Sequence, residues 1–365
     1  MARLSLRNVT KKCPNNDLVV KNFSLDIGEH EFVVLAGPAG CGKSLVIRMI
    51  AGLEESDFGD IYIDGELVNR KETKDRGVAM IFQNYALYPH MNVYDNIAFA
   101  LKLARMPQDE IDRRIHKTAE FISIKGILDQ MPDRLSEEEI LQTVIARAIV
   151  KDPKVLLMDD PLSRIAEDKR RFIEEKIVEL SQKMEIPFVY ATQEQRNAMD
   201  MGTRIVVMNE GEIRQEGAPK ELYTRPANTF TAFFLGEPHI NMVQASVEEK
   251  KGDIVLRFGS SELLLSADQA GVLKEMGFVG GNVFLGVRPE DMSVASDDAE
   301  VFVKNAIVEN CKEENGRSWL CTSSEENSWV LPDNGTGLQP ENMVNLTVEP
   351  EKIHIFCAET GERIC

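Results

Sequence analysis

The sequence predicts an α/β domain on a parallel sheet, interrupted by a helical insertion and followed by an all-β domain. Three observations carry that expectation. Up to about residue 235, short apolar runs ending in a polar residue alternate with helical patterns, as when crossover helices join parallel strands. From about 84 to 150 the strand-like runs give way to charged, amphipathic turns. Beyond Leu235 short alternating runs are punctuated by Gly-Gly and Asn-Gly pairs, a pattern of strands and tight turns. The expected domains are therefore 1–235, with the insertion at about 84–150, and 236–365.

Glu31–Ala36 (EFVVLA) reads as a buried strand that opens onto glycines, and Lys43–Ala51 as a helix closed by Gly52. Gly77–Phe82 (GVAMIF) and Val155–Met158 (VLLM) read as further buried strands, Pro187–Ala191 and Arg204–Met208 as two more, and Glu167–Lys183 as a connecting helix. In the insertion, Gln108–Phe121 is the clearest amphipathic helix. In the tail, Gly280-Gly281, Asn315-Gly316 and Asn334-Gly335 mark turns. Open parallel sheets bind ligands beyond the carboxyl ends of their strands, so the residues just after these runs are the ones to inspect.

The 365 residues include 42 Lys and Arg against 60 Asp and Glu, a net charge of −18. Phosphate backbones and anionic membranes are bound by basic faces, so this balance excludes a nucleic-acid binder and unaided membrane adhesion. Residues 236–365 hold 10 of the basic and 23 of the acidic groups, a balance of −13; the acidity belongs to the tail, which supports a separate domain there. The six cysteines, at 13, 41, 311, 321, 357 and 365, form no CxxC pair and read as free thiols in a reducing cytosol. Met1–Cys13 has no signal-peptide core and no run approaches eighteen apolar residues. A soluble chain is expected, and any membrane-spanning part must come from another subunit.

Gly37-Pro38-Ala39-Gly40-Cys41-Gly42-Lys43-Ser44 fits the pattern G-x-x-x-x-G-K-[ST] between a strand and a helix. Its glycines let backbone N–H groups converge on phosphate oxygens, Lys43 neutralises the β- and γ-phosphates, and Ser44 offers a hydroxyl to Mg²⁺. Val155–Asp159 adds an apolar strand that delivers a carboxylate to the Mg²⁺ shell. Gln83, at the end of Gly77–Phe82, is a candidate third contact to the metal or to attacking water; alone it would read as a solvated glutamine. The expected metal-site residues are Ser44, Gln83 and Asp159, with ATP and Mg²⁺ as cofactors.

Together with Phe82-Gln83-Asn84-Tyr85-Ala86-Leu87-Tyr88-Pro89-His90-Met91, Leu135-Ser136 and Asp159-Asp160-Pro161-Leu162-Ser163, this order resembles the ATP-binding subunits of ABC transporters. Gly286-Val287-Arg288-Pro289-Glu290 is similar to the regulatory domain of the maltose/oligosaccharide and glycerol-phosphate importer ATPases. The resemblance implies a P-loop ATPase domain with an OB-like regulatory and dimerising tail. It implies a homodimer or a heterodimer with another ATPase subunit, ATP lying between one chain's P-loop and the other's signature helix. It also implies docking, around Gln83 and the insertion, on membrane permease subunits that a solute-binding protein feeds. The chain would sit in the cytoplasm, peripheral on the inner face of the cell membrane. Nucleotide contacts would run from Gly37 to Leu45, with Gln83 and, across the dimer, Ser136.

The departures are concentrated in the hydrolysis machinery. Cys13 stands where the family stacks an aromatic on adenine, in the stretch Val9–Pro14, and Leu45 where a second hydroxyl, Thr, is usual. The signature LSGGQ is replaced by Leu135-Ser136-Glu137-Glu138-Glu139, the catalytic glutamate by Asp160, S-N-L-D by Ser163-Arg164-Ile165-Ala166, and the switch histidine by Gln193. Asp160 and Gln193 are thus the catalytic positions, both altered. A carboxylate 4 Å from a phosphate oxygen costs about 4 kcal/mol at an effective dielectric near 20. Ser136 and Glu139 also match S-x-x-E, a capping box, so a well-capped helix is an equally direct reading of the change. Two functions follow: an importer's ATP-binding subunit with impaired hydrolysis, or a non-transport pseudo-ATPase with a regulatory or interaction role. A P-loop kinase is weaker, since no acceptor-substrate motif is evident.

Overall fold

The computed structural model describes residues 3–13, 17–296, 301–314, 316–325 and 327–365; Pro14 and Asn315, named above, lie outside them. Two units emerge, Met1–Lys220 and Glu221–Cys365.

In the first unit β1 (Leu4–Lys12) pairs antiparallel with β2 (Leu18–Ile27). β3 (Phe32–Ala36), buried at every position, leads into α1 (Lys43–Ala51), which Gly52 closes with φ 75°. β4 (Phe58–Ile63) and β5 (Glu66–Leu67) return to the first pair, giving a four-stranded antiparallel sheet ordered β2-β1-β4-β5. Sequence reading missed this sheet. Its strands alternate buried and exposed residues, as β2 does along much of its length, and so lack the continuous apolar run that betrays a fully covered strand.

After β6 (Val78–Ile81) come α2 (Val93–Leu103), α3 (Gln108–Phe121) and α4 (Glu137–Ile149). The expected helical insertion is there, but Asn84–Asn92 is not helical. The fully buried Asn96 explains why: its side chain accepts from the Tyr88 N–H at 2.8 Å and donates to the Tyr88 and Met91 carbonyls at 3.2 and 2.9 Å. Those backbone groups are satisfied without a helix.

β7 (Val155–Asp159), α5 (Glu167–Lys183), β8 (Phe188–Thr192), α6 (Gln195–Met201), β9 (Arg204–Asn209) and β10 (Glu212–Gly217) complete a six-stranded sheet, β10-β9-β3-β8-β7-β6. β9, β3, β8, β7 and β6 run parallel and only β10 is antiparallel. The carboxyl ends of β3, β6, β7 and β8 therefore open along one edge.

The second unit takes in α7 (Pro219–Thr224) from Glu221 on and α8 (Thr229–Phe234), so the division falls fifteen residues before the 235/236 boundary read from the sequence. Arg288 accounts for the shift. Its guanidinium, 2% exposed, donates to the carbonyls of Tyr223, Ala232 and Leu235 and lies 4.0 Å from the Tyr223 ring centroid. β11 (Asn241–Lys250), β12 (Asp253–Phe258), β13 (Ser261–Leu264), β14 (Asn282–Val287) and β20 (Ile353–Cys357) form one sheet. β15 (Met292–Val294), β16 (Val303–Glu314), β17 (Arg317–Ser324), β18 (Asn327–Pro332) and β19 (Met343–Val348) form the other. The rings of Phe258, Phe302 and Trp329 meet in the core at centroid distances of 5.1 to 6.0 Å. The expectation of a purely β tail is corrected by α9 (Ala267–Glu275), capped reciprocally by Ser266 and Gln269. The cysteines are free, and among the described residues no helix is long and apolar enough to cross a membrane.

Candidate functional site

The phosphate-binding loop leaves β3 at Gly37, where a Cβ would stand 2.2 Å from the Met208 carbonyl oxygen. No side chain fits there. The loop turns through Gly40 (φ 77°) and Gly42 (φ 105°), conformations that favour glycine. Gly42 is the N-cap of α1 and supplies no side chain, so the helix's first N–H groups, its positive end, are left for an anion. Pro38, Ala39 and Gly40 are exposed, Cys41 is buried, and Leu45 packs against the core. Lys43 is 6% exposed, and its Nζ donates to the Gly37 and Pro38 carbonyls at 2.8 and 2.7 Å.

The other candidates stand at neighbouring strand ends. Ser44 Oγ donates to Asp159 Oδ1 at 2.6 Å, closing β3–α1 onto β7. Asp160 follows with φ 47°, held by its N–H to the Ala191 carbonyl at 2.9 Å. Burial, then the charges of Glu194 and Asp159, push the Asp160 carboxyl up to about 6; Lys43 and a hydrogen bond from Thr192 partly offset them. Gln83 lies exposed after β6 and donates through Nε2 to Ser163 Oγ at 3.4 Å, and Ser163 in turn donates to the Asp160 carbonyl at 2.9 Å. Gln193 is exposed just beyond β8. Along one edge, hydrogen bonds join Ser44 to Asp159 and, through Ser163, Gln83 to the Asp160 carbonyl, while Lys43, held by its own loop, acts on Asp160 through its charge.

Ser136 is not part of that edge; its hydrogen bonds belong to its own helix. Its hydroxyl accepts from the Glu139 N–H at 3.2 Å and Glu139 Oε2 accepts from the Ser136 N–H at 2.8 Å, the capping box expected from the sequence. Glu137 and Glu138 fill the rest of the first turn. Cys13 is exposed at the end of β1.

Sequence reasoning missed Thr192, Glu194 and Arg170, which tie the loops behind Asp160 together. Thr192 was within reach as the residue preceding Gln193; a contact between Arg170 and Glu194, 24 positions apart, leaves no local pattern. The start of α5 holds a further consequence. Its N-cap is Ala166, in extended geometry, with no side-chain cap. Ala166→Asp is expected to stabilise the first unit by about 1 kcal/mol, read as a higher urea midpoint at unchanged slope; an unchanged or lower midpoint would contradict it.

The sequence profile described as ABC transporter matches residues 20–163, and the MalK OB fold domain matches residues 236–292. The chain is 40% identical to an uncharacterized ABC transporter ATP-binding protein, YurJ, and 38% identical to the oligosaccharides import ATP-binding protein MsmX, both of Bacillus subtilis, each over 100% of both chains. It is 45% identical to the trehalose/maltose import ATP-binding protein MalK of Thermococcus litoralis, over 94% of this chain and 95% of that one. Among solved structures, cbiO1 of Clostridium perfringens, part of an ABC transporter complex, aligns with TM-score 0.57 and 23% identity over 60% of this chain and 90% of its own, which bears on the fold alone. With its phosphate-binding loop on a parallel sheet and relatives matched from end to end, the chain belongs to the ATP-binding proteins of ABC transporters, in the group that carries a MalK-type OB-fold domain.

Proposed function

We propose that the chain is the ATP-binding subunit of an importer for sugars or oligosaccharides, and that it binds Mg-ATP with lowered but not abolished affinity and turns it over slowly. The observation that carries the reading is the retained edge of Lys43, Ser44 and Asp159, with Ser44 and Asp159 joined at 2.6 Å. The residues suit the nucleotide and its metal. A Cβ at Gly40 would meet nothing within 4 Å, the loop ends on an uncapped helix start, and the hydroxyl, amide and carboxylate oxygens of Ser44, Gln83 and Asp159 are the hard donors that Mg²⁺ prefers. When bound, the metal offsets phosphate charge. Lys43 would release the Gly37 and Pro38 carbonyls and turn its ammonium to the phosphates, while the loop's N–H groups orient them.

Import is supported by MsmX and MalK, whose names record it, and neither they nor the fold favours a non-transport role. In this reading the chain works at the inner face of the membrane on permease subunits, paired with a second copy or another ATPase subunit, and a solute-binding protein acts only indirectly. Nucleic acid has no part in it, given the net charge of −18. Titration calorimetry is expected to show Mg-ATP binding in the micromolar to millimolar range, weakened at least about tenfold in Lys43→Ala by loss of a charge-assisted contact. No heat and no competition at several millimolar Mg-ATP would overturn the proposal.

A further inference from the structure

α5 and α6 both begin without a side-chain cap: their N-cap residues, Ala166 and Glu194, make no capping hydrogen bond. The segments leading into them, Ser163–Ala166 and Gln193–Glu194, flank Asp160 in space, and one side chain holds both. Arg170 donates through Nε to the Ile165 carbonyl at 2.9 Å and through Nη1 to Glu194 Oε1 at 2.5 Å. From Glu194 the path continues: its backbone N–H donates to Thr192 Oγ1 at 3.0 Å, and Thr192, fully buried, reaches Asp160 Oδ1 at 3.5 Å. From Ile165 it runs back through Ser163, whose hydroxyl donates to the Asp160 carbonyl at 2.9 Å. These hydrogen bonds, with the backbone between Ser163 and Ile165, close a ring on Asp160, and Gln83 joins it through Ser163.

We propose that Arg170 is a positioning residue for ATP turnover: its guanidinium locks the Ser163–Ala166 segment to the Gln193–Glu194 loop, so that the two approach or leave the nucleotide as one piece. An exposed ion pair contributes little. This one is different in kind, because the side chain of Arg170 is 24% exposed and two N–H groups of one rigid fork reach two separate loops. A lysine replaces that rigid fork with a mobile ammonium on a flexible stem, which does not fix the two loops relative to one another. The inference rests on the Mg-ATP reading above for its link to turnover, whereas the clamp itself can be read without nucleotide.

The test is hydrogen–deuterium exchange on the full-length chain without nucleotide, for wild type, Arg170→Ala and Arg170→Lys, followed by Mg-ATP calorimetry and phosphate release. Arg170→Ala is expected to speed exchange about tenfold in the peptides covering both segments, by local opening. Arg170→Lys is expected to restore protection at 193–196 while 163–166 stays fast. Mg-ATP affinity should stay within about twofold of wild type, since the Arg170 guanidinium binds Ile165 and Glu194 and not the phosphate-binding loop, and phosphate release should fall about tenfold. Unchanged exchange in either segment of Arg170→Ala, or equal rescue of both by lysine, overturns the clamp. A loss of Mg-ATP affinity matching the loss of rate overturns the positioning role. If the wild-type chain bound no Mg-ATP, the functional reading and the link to turnover would fall together, while the nucleotide-free exchange would still decide the clamp.

Discussion

Phosphate release by the purified chain is expected to run at least about a hundredfold below that of a relative with an unaltered signature. Two changes converge on that figure. Asp160 is one methylene shorter than the glutamate expected in its place, and a displacement of about 1 Å at a reacting centre can cost roughly a hundredfold. Gln193 can donate a hydrogen bond but cannot shuttle a proton as an imidazole does. Assembly compounds the loss. If, as the resemblance implies, each ATP lies between the P-loop half of one chain and the signature half of the other, a homodimer would join Asp160 and Gln193 to Glu137–Glu139 at both sites. With an unaltered partner, one site would combine this chain's weakened catalytic half with a good signature, and the other a good catalytic half with this chain's acidic one. Restoring Glu137→Gly, Glu138→Gly, Glu139→Gln, Asp160→Glu and Gln193→His together should recover the rate, and no single reversion should suffice. Whatever turnover remains in the wild type should fall as pH drops through about 6, where Asp160 takes up a proton and ceases to serve as a base. The measurement is phosphate release with Lys43→Ala as background; Lys43-dependent turnover of several per second would sink the argument.

Replacing Arg288 by methionine is expected to destabilise the second unit by at least about 1 to 3 kcal/mol, the cost of a buried acceptor left unsatisfied. Methionine keeps much of the apolar volume but none of the donors, so the carbonyls of Tyr223, Ala232 and Leu235 lose their guanidinium partner at a site where Arg288 was 2% exposed. The contact with the Tyr223 face is lost as well. Burial lowers the pKa of Arg288, and the electrostatics of Tyr223, Glu290 and Asp291 partly offset it. Chemical denaturation followed at Trp319 and Trp329, both buried in this unit, would report the loss. A shift under 1 kcal/mol would mean that the segment 221–235 is held by something else.

Much of this was legible in the sequence, for identifiable reasons. The parallel strands showed because covering both faces of a sheet forces continuous apolar runs, and the phosphate-binding loop because its glycines answer a local demand of the backbone, as the 2.2 Å approach at Gly37 illustrates. Ser136 and Glu139 were readable as a cap because the two partners are three residues apart. What escaped was non-local or half-exposed. The antiparallel sheet β2-β1-β4-β5 has one polar face, and Asn96 replaces helical hydrogen bonds from within a stretch that looks helical. Arg170 joins loops that approach only once β7 and β8 are paired.

The reciprocal cap at the start of α4 has one more consequence. A helix start that admits phosphate must leave its N–H groups idle and tolerate glycines of poor helical propensity, a local conflict between folding and chemistry. In this chain the conflict is resolved in favour of folding: the Ser136 and Glu139 side chains occupy two of those donors and three acidic side chains complement the dipole. The start of α4 has thereby become a minimally frustrated element. Glycine costs about 1 kcal/mol more than alanine at each helical position, so any path back to an open signature leads uphill in stability before it gains a rate. The four residues from Ser136 to Glu139 can satisfy the helix or the nucleotide, and selection acting on one is blind to the other.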